Sequence, residues 1–311
     1  MPVTYRIISF DGGGIKGVVP AIILKRLQDT PGLKGFIEKA DLFAGTSTGG
    51  LIALALANGN DPSVIKSLYL NDGSKIFSLS LRNEIFGLCQ LTEAKYNNKN
   101  LTSILKNLFG NTQLKDLKKN VLITSFDLDN EAGETNTRNW KPKIFHNYPG
   151  PNNDSDQYAY KVGLYTSAAP TFFPSEDGYV DGGIYANNPS MCALTQVLEP
   201  RNDGTPDYLD GILLLSLGTG ASLHYIPGDT HNWGYIQWLK QLLTIMMDGV
   251  NGIADYECKQ LLHERYFRFA PVFPPSIDIP MDDARKLNYL ESFASSVDLG
   301  EITDWLQKYW M

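Results

Sequence analysis

The sequence predicts a three-layer α/β fold, in which helices cover both faces of a mostly parallel sheet. Strand and helix signals alternate along the first half of the chain, as expected for such a fold. Two continuous apolar runs, at residues 120–128 and 211–217, are typical of strands buried on both faces of a parallel sheet. Glycine-rich turns at residues 11–17 and 45–50 each separate a strand-like segment from a helix-like one.

The order of the elements follows from these patterns. Residues 6–10 predict the first strand, and the next elements are a helix at 18–28, a short strand at 40–44 and a helix of small residues at 48–57. A further helix begins near Asp61, because Pro62 suits a first helical position, where the missing N–H costs nothing. Later strands are predicted at residues 143–148 and 265–270, and a late helix at 282–299.

The domain organisation follows from the two long polar stretches, residues 129–160 and 200–210. Neither is typical of a linker, because similar strand and helix patterns flank both. We therefore predict a single domain over residues 1–311. It comprises a motif-bearing core at about 6–220 and a C-terminal helical portion at about 233–311.

Composition excludes some classes of function. The net charge of −7 argues against nucleic acid as a partner, since phosphate binding needs a basic surface. Cys89, Cys192 and Cys258 lack paired spacing, which favours small buried apolar residues over a disulfide or zinc site. No metal or cofactor is expected. No signal-peptide pattern and no apolar run of roughly 20 residues is present, which predicts a cytoplasmic protein.

A candidate nucleophile lies in the second glycine-rich turn. Gly45, Ser47 and Gly49 fit the pattern G-x-S-x-G, between a predicted strand and a helix of small residues. That setting favours a sharp turn exposing the serine hydroxyl at a helix N-terminus, where the dipole stabilises developing negative charge. The alternative is a plain turn between two elements.

The first glycine-rich turn has three interpretations. Gly12, Gly14 and Gly17 satisfy G-x-G-x-x-G, but no acidic residue ends a convincing second strand, as a dinucleotide site requires. Lys16 is followed by Gly17 and not by the Ser or Thr of a phosphate-binding loop. Amides around Gly12, Gly13 and Gly14 could form an oxyanion hole for Ser47, or the glycines could serve only a tight turn.

A serine nucleophile needs a base, and two kinds are available. His224 follows the strand at 211–217 and fits a triad by chain order, but none of the four histidines has a recognisable catalytic context. Asp181 is the stronger candidate, because Gly182 and Gly183 leave its carboxylate unobstructed. The alternative for Asp181 is an ordinary Asp-Gly turn.

Taken together, these residues resemble the patatin-like phospholipase family. Four stretches match in order: D-G-G-G-I-K-G at 11–17, G-T-S-T-G at 45–49, T-S-A-A-P-T-F-F-P at 166–174 and D-G-G at 181–183. N-N-P at 187–189 and L-S-L-G-T-G at 215–220 are also similar to family stretches. The resemblance covers about residues 6–220.

The resemblance implies a Ser47–Asp181 dyad without a catalytic histidine, and an α/β/α fold related to the α/β-hydrolases. It implies an oxyanion hole at Gly12, Gly13 and Gly14, with supporting roles for Lys16, Gly17, Gly45, Gly49, Gly182 and Gly183. The implied activity is calcium-independent cleavage of acyl esters in a phospholipid, lysophospholipid or galactolipid, with peripheral membrane contact. Two alternatives stay open: a Ser-His-Asp esterase or acyltransferase, and a non-catalytic phosphate- or nucleotide-binding module using residues 11–17.

Two further stretches carry weaker signals. Residues 235–247 are apolar around most of a helix, which favours a buried core helix over one that lines an acyl channel or enters a lipid interface. Residues 93–119 carry six lysines against Glu93 and Asp116, which favours a solvated helix face over contact with anionic lipid. Met246, Met247, Trp305 and Trp310 are also predicted to be buried.

Overall fold

A seven-stranded sheet forms the centre of the protein. The computed structural model describes residues 5–77, 93–131, 137–150, 153–199, 208–228, 231–275 and 277–311. The strands are β1 (Tyr5–Phe10), β2 (Leu42–Thr46), β3 (Asn120–Asp127), β4 (Lys141–His146), β5 (Tyr179–Asp181), β6 (Ile212–Leu217) and β7 (Tyr266–Phe269). Their order is β4-β3-β2-β1-β6-β7, with β5 paired to β3.

The sheet is mostly parallel, as the sequence predicts. Strands β1, β2, β3, β6 and β7 run in one direction, whereas β4 and β5 are antiparallel to β3. Strand β5 pairs with β3 at Ser125 to Asp127, directly beyond the point where β2 ends opposite Thr124. Strands β2 and β5 therefore meet end to end along one edge of β3, and this junction positions the candidate site.

Helices cover both faces of the sheet and complete the three layers. They are α1 (Val18–Gln28), α2 (Thr48–Ala57), α3 (Pro62–Ile76), α4 (Lys99–Phe109), α5 (Ala159–Ser167), α6 (Gly183–Ala186), α7 (Ser190–Val197), α8 (Tyr235–Leu262), α9 (Leu287–Ser296) and α10 (Gly300–Trp305). Alternate strand residues serve the two faces. Ile8 and Phe10 pack in the core with α1 to α5, α9 and α10, whereas Ile7 packs in the second core with α7 and α8.

Most predicted elements are present, with shifted ends. Strand β2 begins two residues later than predicted, and the late helix is shorter, because a 3₁₀ turn at Ala284–Lys286 precedes α9. The sequence does not predict β5 as a strand, since three residues are too short for a periodic pattern. The strand predicted at residues 265–270 is β7, through which the otherwise helical C-terminal portion joins the central sheet.

The burial predictions have mixed outcomes. Trp305, Trp310 and Cys258 are buried as expected, Cys192 is half-buried, and Cys89 lies outside the described residues. The predicted burial of the segment 235–247 is wrong. This segment begins the 28-residue helix α8, whose exposed face carries Trp238, Leu242, Ile245 and Met246. Helix α8 uses its opposite face for the core, through Ala254, Cys258 and Leu262.

Two other predictions concern the lysines of residues 93–119 and the lack of a segment long and apolar enough to span a membrane. Lys99 and Lys106 of α4 are exposed, while Lys95 and Lys115 pair with Asp282 and Asp156, and the preference for a solvated face over contact with anionic lipid stays a prediction. Across the described residues, every helix is either too short or too polar to span a bilayer.

Candidate active site

Ser47 lies in a strained turn between β2 and α2. Its backbone dihedrals are φ 54° and ψ −126°, in a region that a residue with a side chain rarely adopts. The strain is held in place partly by the Ser47 amide, which donates to Thr166 Oγ1 at 2.8 Å. The serine therefore projects from the carboxyl end of a parallel strand at the first turn of a buried helix.

Gly45 and Gly49 are required by the tightness of this turn. A Cβ at Gly45 would lie 2.2 Å from the carbonyl oxygen of Gly49, closer than any real contact. A Cβ at Gly49 would lie 2.3 Å from the carbonyl oxygen of Phe10. The pattern G-x-S-x-G is therefore explained here by backbone crowding, because α2 passes directly over the end of β1.

Asp181 lies next to Ser47 because β2 and β5 both pair with the same edge of β3. Thr46, the last residue of β2, is opposite Thr124, and Asp181, the last residue of β5, is opposite Ser125. The two strands approach this point from opposite directions, so residues 134 positions apart in the sequence become neighbours. The side chains of Ser47 and Asp181 face the same cavity, and the interaction with Ser47 lowers the pKa of the Asp181 carboxyl.

The surroundings of Asp181 favour its neutral form. Burial raises the pKa of the Asp181 carboxyl to about 6, although hydrogen bonds from Ser47 and from the Gly183 amide partly offset this. The amide of Gly183 donates to Asp181 Oδ1 at 2.7 Å. A Cβ at Gly182 would lie 2.3 Å from Thr124 Oγ1, so glycine is needed where the chain leaves β5. The carboxylate is thus fixed and more basic than an exposed aspartate.

The three glycines of the first turn differ in their hydrogen bonds. The amide of Gly12 donates to the carbonyl of Asn187 at 3.0 Å, and the carbonyl of Gly12 accepts from Thr219 Oγ1 at 3.0 Å. The amides of Gly13 and Gly14 donate to no acceptor within the described part of the chain. Only Gly13 and Gly14 line the cavity above Ser47. Of the three amides predicted to form an oxyanion hole, those of Gly13 and Gly14 therefore have no acceptor among the described residues, whereas that of Gly12 does.

A buried ion pair anchors this loop to the last strand of the sheet. Asp11 accepts from both terminal nitrogens of Arg268 in β7, at 3.2 Å and 2.6 Å. Arg268 also donates to Ser216 Oγ in β6 at 2.8 Å. Asp11 is only 3% exposed, and both of its carboxylate oxygens accept hydrogen bonds from Arg268. The loop therefore has a fixed position beside Ser47.

An apolar cavity opens over the serine and the aspartate. Its lining includes Ser47, Asp181, Gly13, Gly14 and Asn187, and most of the remainder is apolar: Leu51, Ile76, Phe77, Leu101, Ala169, Pro170, Phe172, Phe173, Ile184, Met247 and Met281. The walls come from α2, α3, α4 and α8 and from the segment after α5. Such a cavity suits a hydrocarbon chain attached to a polar reacting group.

The remaining predicted residues lie around this centre. Gly17 packs against Thr48 and Tyr69, where a Cβ would lie 2.2 Å from Thr48 Oγ1. Lys16 is half-buried, and burial lowers the pKa of its ammonium despite the nearby carboxylates of Asp248 and Asp278. His224 lies 3.7 Å from each of those two carboxylates. Neither Lys16 nor any of the four histidines is part of the described lining of the cavity.

Sequence reasoning missed several residues that build the site. Arg268, Thr219 and Asn187 each fix part of the glycine loop, and Thr166 holds the Ser47 amide. Thr166, Asn187 and Thr219 do lie within stretches that resemble the family, which was the available signal. Arg268 lies beyond residue 220 and had no signal, since only the pairing of β6 with β7 brings it to Asp11.

The sheet, the strained serine turn and the apolar cavity are those of an α/β protein of the hydrolase type. The chain belongs to the patatin-like phospholipase family, whose sequence model matches residues 8–194. It is 31% identical to patatin-like protein 1 of Oryza sativa subsp. indica, over 80% of this chain and 68% of the relative. It is also 31% identical to patatin-like protein 2 of Arabidopsis thaliana, over 76% of this chain and 67% of that one.

A bacterial relative has a similar extent, and solved structures are more distant. CotR of Bacillus subtilis is 28% identical over 98% of both chains. VipD from Legionella pneumophila has 14% identity and a TM-score of 0.40, with 94% of this chain and 67% of that chain covered. Human GIVD cytosolic phospholipase A2 has 11% identity and a TM-score of 0.44, with 99% and 60% covered. Family membership rests on the sequence matches.

Proposed function

We propose that the protein is a lipid acyl hydrolase that cleaves carboxylic esters through a Ser47–Asp181 dyad. The observation that carries this proposal is the position of Ser47 beside the buried carboxylate of Asp181 in the lining of one apolar cavity. A carboxylate that touches the nucleophile directly is able to take its proton without an intervening histidine. Membership of the patatin-like phospholipase family supports the same reaction.

The acylation step follows from the positions of these groups. Asp181 accepts the proton of the Ser47 hydroxyl as Oγ attacks the ester carbonyl carbon, and the carbonyl electron pair moves to the oxygen. The amides of Gly13 and Gly14 are the donors proposed for this oxyanion, with Gly12 holding the loop through Asn187. Collapse of the tetrahedral intermediate breaks the bond to the alcohol, which leaves with the proton from Asp181.

The deacylation step uses the same residues with water as the nucleophile. Asp181 takes one proton from water, and the water oxygen attacks the acyl-Ser47 carbonyl. The intermediate then releases the fatty acid, and Ser47 Oγ recovers its proton from Asp181. Burial helps both steps, because a pKa of about 6 makes Asp181 a better base than an exposed aspartate while leaving it ionised at neutral pH.

Features of the site weigh against the two alternatives. The candidate base of a Ser-His-Asp triad, His224, faces Asp248 and Asp278 and does not line the described cavity. A phosphate- or nucleotide-binding loop would offer the amides of residues 11–17 and the Lys16 ammonium to its ligand. The Gly12 amide is instead bonded to the carbonyl of Asn187, and Lys16 is not part of the described cavity lining.

The substrate class is an acyl ester of a membrane lipid, taken as a phospholipid, lysophospholipid or galactolipid. The largely apolar lining would hold the acyl chain, and the polar residues around Ser47 would hold the ester. We propose that the reaction needs no calcium, and activity should be the same with and without a calcium chelator. The predicted cytoplasmic location with peripheral membrane contact remains part of this proposal.

The test is hydrolysis of a panel of these lipids, with free fatty acid and lysolipid identified by mass spectrometry. Ser47→Ala and Asp181→Asn should each lose at least about a hundredfold in rate, the usual size of a general-base contribution. A fluorophosphonate probe should label Ser47 in the wild type and leave Ser47→Ala unlabelled.

Two variants serve as matched controls. Ser167→Ala removes another hydroxyl from the same cavity, one without a hydrogen-bond partner among the described residues, and should keep wild-type activity. His224→Ala should also remain active. Loss of activity in His224→Ala together with an active Asp181→Asn would contradict the dyad and favour the triad.

A further inference from the structure

Helix α8 carries a stripe of large apolar side chains that face away from the protein. Trp238, Leu242, Ile245, Met246, Ile253 and Tyr256 are between 39% and 60% exposed. At 3.6 residues per turn these six positions fall within an arc of about 100° on one side of the helix. We call these residues the α8 stripe. Contiguous exposed apolar surface of this kind marks a site of interaction.

The opposite side of the same helix forms part of the candidate active site. Met247 lines the cavity, and Asn251 accepts a hydrogen bond from Asn187 at 3.0 Å. Asn187 also holds the Gly12 amide through its carbonyl. Further along this side, Ala254, Cys258 and Leu262 are buried. The helix therefore separates the α8 stripe from the cavity by only its own diameter, about 10 Å.

The loop before α8 extends this apolar surface. Leu223 is 67% exposed and Tyr225 is 85% exposed. The residue between them, His224, lies 3.7 Å from the Asp248 carboxylate of α8, which places the loop alongside the helix. Tryptophan and tyrosine together with aliphatic residues are the side chains that favour the boundary between lipid headgroups and acyl chains.

Charge indicates what kind of surface fits the stripe. Among residues 235–247 the sequence has a single charged residue, Lys240, and Asp248 follows directly. The stripe itself is uncharged, and acidic Asp255 and Glu257 lie next to its C-terminal end. Adsorption to anionic lipid requires a cluster of basic residues, which this region lacks. Its match is a neutral or zwitterionic lipid surface, held by insertion of apolar side chains.

We infer that the α8 stripe docks the protein onto a neutral or zwitterionic lipid surface and presents the cavity to its substrate. This inference rests on the proposed function, because a lipid hydrolase must take its substrate from a bilayer or micelle. A docked α8 places the cavity one helix diameter beneath that surface, so an acyl chain has a short path to Ser47. Docking also couples the surface to the glycine loop through Asn251 and Asn187.

The test compares a stripe variant with a matched surface variant. Ile245→Gln with Met246→Gln changes two side chains that are 43% and 47% exposed. The control, Val64→Gln with Leu128→Gln, changes side chains of 41% and 43% exposure on other parts of the surface. Binding is measured by vesicle flotation in the Ser47→Ala background, so that the lipid is not consumed. The vesicles are phosphatidylcholine alone or phosphatidylcholine mixed with phosphatidylglycerol.

The wild type should bind both kinds of vesicle with similar affinity, and added salt should change binding little. The stripe variant should bind at least about tenfold more weakly, since two inserted apolar side chains are lost. The control should bind like the wild type. With brominated phosphatidylcholine, Trp238 fluorescence should be quenched, and Trp238→Phe should lose that quenching.

Three results would overturn the inference. They are wild-type binding by the stripe variant, binding that requires phosphatidylglycerol and disappears in salt, or a dimer that the stripe variant dissociates without any change in vesicle binding. Hydrolysis of soluble p-nitrophenyl butyrate tests the proposed function separately and should be unchanged in the stripe variant. If the wild type failed to hydrolyse that ester yet still bound vesicles through the stripe, the proposed function alone would fail.

Discussion

At the scale of single residues, the site combines a strained serine, the proposed nucleophile, with a destabilised carboxylate, the proposed base. Ser47 has a positive φ that its surroundings enforce. Asp181 is only 5% exposed, and no cation balances its charge among its described partners. Both features oppose folding and favour reaction, because strain exposes Oγ while burial makes the carboxylate a stronger base. Each therefore has a measurable effect on stability as well as on rate.

The first prediction concerns pH. Because Asp181 is the proposed base and its pKa is raised to about 6, kcat/KM should fall about tenfold per pH unit below that value and level off above it. Since the folded pKa lies above the unfolded value, the wild type loses stability as pH rises between the two values, by about 3 kcal/mol in all. Asp181→Asn should not show this loss of stability, because the asparagine side chain does not ionise.

Denaturant unfolding of both proteins at about pH 8 and about pH 4 measures the effect. Asp181→Asn should gain stability relative to the wild type as the pH is raised, although it is inactive. An equal response of the two proteins to pH would show that Asp181 is not destabilised by burial. Asp304→Asn, at an exposed aspartate of α10, is the control for the substitution.

The second prediction concerns the oxyanion loop. A Cβ at Gly13 would lie 2.2 Å from Thr219 Oγ1, so Gly13→Ala must displace the glycine loop relative to Thr219. Loss of one oxyanion donor typically costs about a hundred- to a thousandfold in kcat, and a similar loss is expected here with KM nearly unchanged. Thr219→Gly in the same chain removes the obstruction and should restore part of the rate. A double variant no faster than Gly13→Ala would contradict this cause.

At the scale of elements, the cavity is a product of helix packing. Helices α2, α3 and α4 each contribute apolar side chains to one wall, and the aromatic residues Phe77 and Phe173 pack together with ring centroids 6.0 Å apart. Helix α4 is strongly two-sided, with Leu101, Leu105 and Phe109 buried and its lysines outside. Only Leu101 of these three lines the cavity.

The third prediction uses that difference along α4. Leu101→Phe reduces the space for an acyl chain, so kcat/KM for long-chain esters should fall by at least about tenfold while short-chain esters are hydrolysed normally. Overpacking should cost about 1–3 kcal/mol of stability. Leu105→Phe is the matched control, because it makes the same change one turn later, away from the lining, and should leave chain-length preference unchanged. Competition among esters of graded chain length measures the preference.

At the scale of the whole molecule, segments that are far apart in the sequence pack around the glycine loop, residues 11–17. Asp11 and Arg268 are paired across 257 positions of sequence, and Arg6 in β1 donates to the carbonyl of Trp310 at 3.1 Å. Trp310 is fully buried and donates to the carbonyl of Phe36 at 2.8 Å. The last part of the chain is thus built into the same core as the motif-bearing part.

The fourth prediction tests this connection. Arg268→Met leaves the Asp11 carboxylate buried without its partner, which should cost about 3–5 kcal/mol of stability and lower kcat by loosening the glycine loop. Arg268→Lys should recover only part, since it cannot bind both carboxylate oxygens. Arg285→Met removes an ion pair of an exposed arginine and should leave the stability nearly unchanged. Calorimetry with parallel rate measurements provides both readouts.

Much of the site was predictable because its glycines cluster in two short turns of the sequence. Gly45 is crowded by the backbone of Gly49 four residues on, Gly49 by the backbone of Phe10 just before the first turn, and Gly17 by the Thr48 side chain in the second. Requirements for glycine at such close spacing leave a pattern in the sequence. The family and the parallel sheet, both predicted from these patterns and from the apolar runs, are confirmed. The predicted roles of Ser47, Asp181 and the glycine amides await the experiments above.

The rest depended on contacts between segments far apart in the chain. The amino-acid pattern alone was enough to identify the family, the fold class and the candidate residues for the chemistry. The folded structure was needed to show that β2 and β5 meet end to end on β3, that the Gly12 amide donates to Asn187, and that Arg268 pairs with Asp11. It also decided that the apolar start of α8 faces outward, because periodicity shows that a face is apolar but not what packs against it.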